Sequence, residues 1–203
     1  EARTAGASFS IMMVASEFAV PAQWTLDGFN RHRLYIGDLD SIDDDLAAHG
    51  FAESGVVRRQ VRAAMRQTPT PDRIVVGRRD PTDASWTAAL DAIRTSSSDW
   101  YAFAIEDRDE TSIVAVSTWA ESKFVRFFCQ NSDADVLTAT AGNVLLGLQD
   151  LVRRRTCYVW HDADVASDLG PAVIRTAAAG PWDVSAVLAG YLNPEIDGVE
   201  TGV

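Results

Sequence analysis

The stretch GVVRRQVRAAMRQTPTPDRIVVGRR, residues 55–79, decides the fold class. Val57, Val61, Ala64 and Met65 fall at i, i+4, i+7 and i+8, which is one face of a helix. Arg58, Arg59, Arg62 and Arg66 occupy much of the remaining surface. Thr68-Pro69-Thr70-Pro71 then ends the helix, because each proline lacks an N–H and drives the residue before it out of the α region. Ile74-Val75-Val76, bounded by Arg73 and Gly77, is a short β-branched run of the kind that fills a strand buried on both faces.

The same alternation extends outward. Strands are expected over residues 9–14, 33–36, 100–105, 124–129 and 156–160, with a loop or short helix over 21–30. Ser41 caps a helix over 41–49, with Asp43, Asp44 and Asp45 in its first turn, and Gly50 stops it. Asp83 or Ser85 caps a helix over 86–95, with Trp86, Leu90 and Ile93 on one face. Thr111 or Ser112 caps the next, to about residue 122. A longer helix is expected over 140–155 from the stripe Val144, Leu145, Leu148, Leu151 and Val152. An Ala-rich helix over 168–179 and an apolar stretch over 184–192 follow.

Alternating helices and strands force crossovers. The expected architecture is therefore a three-layer α/β domain, a mostly parallel sheet with helices on both faces. Residues 51–192 form its core. Residues 1–50 either join the sheet or extend it as a small antiparallel unit, and 193–203 are a tail. The chain opens on Glu1 instead of Met, which suggests a piece of a longer or processed polypeptide.

The 203 residues carry 29 acidic against 18 basic side chains, a formal net charge of -11. A field of that sign repels a phosphate backbone, so nucleic acid is excluded as the expected partner. Arg58–Arg66 and Arg153–Arg155 read as solvated helix faces or protein contacts. No apolar run reaches the length of a membrane span. Cys129 and Cys157 each sit in an apolar run and read as buried thiols, with a bridge open only if their strands are neighbours.

Ligands in an open α/β sheet bind outside the carboxyl ends of the strands. No GxGxxG, GxxxxGK[ST] or G-x-S-x-G occurs there, nor any CxxC or HExxH. The strand ends are instead polar: Ser16-Glu17, Glu106 to Glu110, Gln130 to Asp135, and His161 to Asp164. Asp133, Asp135, His161, Asp162 and Asp164 converge at one sheet edge if the last two strands pair, an oxygen-rich set suited to Mg²⁺ or Ca²⁺. The plainer reading, solvated loops that cap the following helices, is favoured. His32 and His49 lack a nucleophile nearby in sequence and read as packing residues. No catalytic, cofactor-binding or metal-binding residue is therefore assigned, and no cofactor is expected.

Several segments together carry a family resemblance. AMRQTPTPDRIVVGRR (64–79) resembles the "helix, Gln-Ser-Pro-x-Pro, strand, Gly-Arg" signature of the sheath proteins of contractile bacteriophage tails. RHRLYIGDLDSIDDDLAAHG (31–50), SSDWYAFAI (97–105), Trp119-Ala120-Glu121 with FVRFFCQNSD (124–133), and RTCYVWHDAD (155–164) resemble further elements of that family, in the same order. The resemblance runs from about Arg31 to Leu192. Thr68 replaces the expected serine, and the family's C-terminal linking domain has no counterpart in these residues.

The resemblance implies a structural, non-enzymatic subunit. Such subunits stack as hexameric rings around a tail tube and contract to drive it into the host. The implied partners are neighbouring sheath subunits, the tail tube protein and the baseplate. The implied location is the virion tail, assembled in the host cytoplasm. Without its linking arms such a domain is expected to be monomeric or weakly associated. The alternative is a doubly wound small-ligand or Mg²⁺-dependent enzyme domain using the acidic strand-end loops.

Overall fold

A computed structural model of the protein describes residues 12–66, 71, 73–138 and 142–160. In chain order its elements are β1 (Met12–Glu17), α1 (Ala22–Leu26), β2 (His32–Ile36), α2 (Leu39–Ala48), α3 (Val56–Met65) and β3 (Arg73–Arg79). There follow α4 (Trp86–Ser96), β4 (Ala102–Ile105), α5 (Glu110–Lys123), β5 (Arg126–Asn131), α6 (Asp135–Thr138), α7 (Val144–Asp150) and β6 (Thr156–Trp160). Most of the proline turn and the two apolar segments expected after residue 167 lie outside the described residues.

The six strands form one sheet in the order β2-β3-β1-β4-β5-β6. All pairings are parallel except β2 with β3. The first fifty residues therefore supply both a central strand, β1, and an antiparallel edge strand, β2. Without β2, the parallel strands run second, first, third, fourth, fifth, a doubly wound order.

The side-chain alternation of the strands builds two cores, one on each face. Met13, Ala15, Val75, Phe103, Phe127 and Cys129 face α4, α5 and α7, where Leu90, Ile93, Ile113, Val116, Trp119 and Leu148 meet them. Met12, Val14, Ile74, Val76 and Phe128 face the other way, toward Trp24, Ile42, Leu46, Val61 and Met65. The expected three-layer α/β architecture is the one found. Cys129 lies in the first core and Cys157 borders the second. No disulfide joins them although their strands are neighbours, because adjacent register positions point to opposite faces.

Strand β1 reaches Glu17 and β5 spans Arg126–Asn131, each running past the carboxyl end expected for it, and three helices also begin or end elsewhere than expected. Asp38, not Ser41, caps α2: its carboxylate accepts the Ser41 N–H at 2.9 Å and the Ser41 hydroxyl at 2.6 Å. Asp109, not Thr111 or Ser112, caps α5 by accepting the Ser112 N–H at 3.0 Å. In both helices the serine is the third helical residue, and the anion gains from the helix dipole as well as the hydrogen bond. The third difference is at α7, which runs from Val144, capped by Asn143, to Asp150 and not over 140–155. Val152 turns left-handed at φ 49, its N–H reaching Gln149 O while Arg153 N–H reaches Leu148 O. That pair of bonds is a Schellman closure, so Leu151 and Val152 leave the apolar stripe and stand exposed.

Candidate functional site

The chain leaves β1 toward the α2–α3 face and leaves β4 toward the α5 face. The crevice between the carboxyl ends of these two strands is the switch point at which a doubly wound sheet holds its ligands. Ser16, at the end of β1, is buried and donates its hydroxyl to Gln60 Oε1 on α3 at 2.8 Å. Glu106, just past β4, accepts the Glu17 backbone N–H at 2.6 Å. Burial pushes the Glu106 carboxyl above its ordinary value, and the Glu17 N–H partly offsets that.

Arg78 is only 3% exposed and closes the same end of the sheet. Its Nε donates to Phe18 O at 2.6 Å, Nη1 to Asn30 O at 3.3 Å, and Nη2 to Asp80 Oδ2 at 2.6 Å. One buried cation thus fixes the loops leaving β1, α1 and β3. Beside it Arg79 pairs with Glu17 at 3.2 Å and lies over the Trp86 ring.

Farther along the same edge, the ends of β4 and β5 border an open cleft of about 530 Å³. Asp107, Asp109, Glu110, Asn131, Asp133 and Asp135 contribute to its lining. Asp107 accepts from Trp86 Nε1 at 2.9 Å and from the Ser112 hydroxyl at 2.7 Å. Asp133 accepts the Asp135 N–H at 3.0 Å, and Asn131 accepts from the Tyr158 hydroxyl. Asp107, Asp109 and Asp133 also accept backbone N–H groups, from Asp109, Ser112 and Asp135 respectively.

Of the acidic set singled out in the sequence, Asp133 and Asp135 meet at this cleft. The condition for convergence is met, because β5 pairs with β6 and Asn131 stands opposite Trp160. His161, Asp162 and Asp164 lie outside the described residues. Among the described residues, no group of three or more His, Cys, Asp or Glu is placed to hold a metal ion.

The sequence reading did not anticipate Gln60 or Arg78 as parts of one end. Gln60 had a faint signal: it is a polar residue inside the apolar stripe of α3. Arg78 had none beyond following a buried strand. The basic run on α3 also behaves differently from a solvated face. Arg58 Nε and Arg62 Nε both donate to Asp43 Oδ1 on α2 at 2.9 Å, and Arg62 Nη2 donates to its Oδ2 at 2.7 Å. The Arg58 hydrogen bond, with Arg62, holds the Asp43 carboxyl at about 2.

Among the described residues no helix is long and apolar enough to cross a membrane. No protein-family model matches the chain, and no curated protein matches it.

Proposed function

We propose that this chain is the α/β block of a contractile phage tail sheath subunit. It would stack in rings with its own copies around a tail tube, above a baseplate, in the virion tail. The ordered resemblance from about Arg31 to Leu192 supports this reading. The structural observation that carries it is the switch-point crevice, where Ser16, Arg78 and Glu106 are all bonded to the chain's own atoms. A domain organised this way invests its polar groups in holding strands and loops together. Rigidity of that kind suits a subunit that moves as one body when interfaces shift.

The test is electron microscopy of the whole polypeptide expressed on its own. Tubular polymers of uniform diameter are the expected result. Discrete particles only, together with saturable thermal stabilisation by Mg²⁺ or a nucleotide, would favour the enzyme reading instead.

A further inference from the structure

At the amino-terminal edge of the sheet, two helices end in unusual residues. Phe124 closes α5 at φ 59 and Val152 follows α7 at φ 49. A left-handed conformation is unfavourable for a non-glycine residue, most of all a β-branched one. Burial would offset that cost, yet Phe124 is 68% exposed and Val152 66%. In return Phe124 gains a cation–π contact with Arg155, while the Val152 side chain stands largely in solvent.

The two are joined into one strip. Arg153 Nη2 donates to Thr118 Oγ1 at 2.7 Å, and the Arg155 N–H donates to Glu121 Oε1 at 2.5 Å. The Arg155 guanidinium lies 4.9 Å above the Phe124 ring. Residues 152–155 therefore run along the last turns of α5, with Leu151 and Arg154 exposed beside them. Exposed apolar side chains among arginines have the composition of an interface centre. At the other end of the same strands lies the cleft whose lining includes five acidic side chains, Asp107, Asp109, Glu110, Asp133 and Asp135, with Arg108. The two ends of one molecule are complementary in charge.

We propose that the strip of Phe124, Val152 and Arg154 is a docking surface for the acidic carboxyl edge of a second copy of this chain. The contact is head to tail along the strand direction. It is heterologous, so it propagates from copy to copy instead of closing a two-fold dimer. It builds on the lattice-subunit reading above and names the faces that would meet.

Sedimentation velocity of the full chain tests it. Mass should rise with protein concentration at low salt, and added salt should reverse the rise. V152G and F124G both relieve the backbone, so V152G should fold at least as well as the parent and F124G, which loses its contact with Arg155, nearly as well, yet each should associate about tenfold more weakly. R154E alone, and E110K/D135K alone, should also associate weakly. Mixed together, they should form a discrete 1:1 complex, since only one pair of faces is then complementary. A parent that stays monomeric at millimolar concentration and low salt overturns the proposal. So do glycine variants that associate like the parent, or a charge-swapped mixture that gives no complex. Tubes by microscopy with unaltered association of the variants would refute this contact alone. The charge-swapped complex without tubes would refute the sheath reading alone.

Discussion

Arg78 on β3 donates its Nε–H to the carbonyl of Phe18 at 2.6 Å, tying the end of one strand to the chain leaving its neighbour. Because the guanidinium is almost fully buried and also serves Asn30 and Asp80, it acts as one unit with three loops. Removing it leaves three partly buried acceptors without this donor. Arg78→Met should lower the unfolding free energy by about 3 kcal/mol in urea denaturation. Arg78→Lys should recover only part, since an ammonium lacks the fork that reaches separate acceptors. An R78M protein as stable as the parent would contradict the assignment.

The α2–α3 pair is joined by Asp43 with Arg58 and Arg62. Asp43 is held at about 2, below the ordinary carboxyl value of about 3.9, so the folded state favours its charged form. Its stabilisation is therefore complete above pH 4 and is lost as pH falls toward 2. Asp43→Asn should cost about 1 kcal/mol at neutral pH, a figure reduced for solvent screening at the helix surface. It should also flatten the acid limb of stability against pH between about 4 and 2.

Trp24 Nε1 donates to the Tyr35 hydroxyl at 3.0 Å, and that hydroxyl lies 2.9 Å from His49 Nδ1 at the end of α2. With the imidazole neutral and its proton on Nε2, Tyr35 donates to Nδ1 and the relay is complete. Burial lowers the His49 value, so folding favours the neutral ring. The resulting stability is present above the ordinary histidine value and is lost as pH falls through the lowered one. Denaturation midpoints should drop between pH 7.5 and 5, and His49→Gln should remove part of that slope, the rest coming from His32, which burial lowers in the same sense.

Val152 should be a site where substitution stabilises. Glycine at its left-handed position removes the steric cost, partly offset by the entropy glycine adds to the unfolded chain. Val152→Gly should gain about 1 kcal/mol, or roughly 2–4 °C in melting temperature for a chain of this size. A lowered melting temperature would show that Val152 makes a stabilising contact in the free domain.

Gly77 has the opposite constraint. A Cβ built there stands 2.9 Å from Met13 Sδ, 3.1 Å from Ile93 Cδ1 and 3.4 Å from Ala15 Cβ, between β1 and α4. Gly77→Val should cost about 2 kcal/mol by overpacking. Gly77→Ala should cost less, because the Met13 thioether is flexible and can move.

Much of the fold was legible because burial on two faces leaves a pattern in one dimension. Thr156–Trp160 is the strand expected, and Trp86, Leu90 and Ile93 share the buried face expected of α4. The failures have a common cause. At Asp38 and Asp109, serines three residues on carry an equally good capping signal, and local sequence does not rank them. At α7, the apolar period continues through Leu151 and Val152, and only the closure of the helix end removes them from the stripe. The acidic strand ends were legible as residues, but not which hydrogen bonds each would make.

The α/β class, the two-sided burial of the sheet and the acidic character of the strand ends can all be read along the chain. Each follows from composition and short-range periodicity, which the backbone geometry converts directly into faces. Packing in three dimensions set the strand order, and with it the placing of β1 at the centre and β2 at an antiparallel edge. It also decided that Arg78 gathers three loops, that Arg58 and Arg62 turn inward onto Asp43, and that two strained apolar residues stand at one end. Such pairings join residues far apart in the chain, and their energies exist only once the crossovers have brought them into contact.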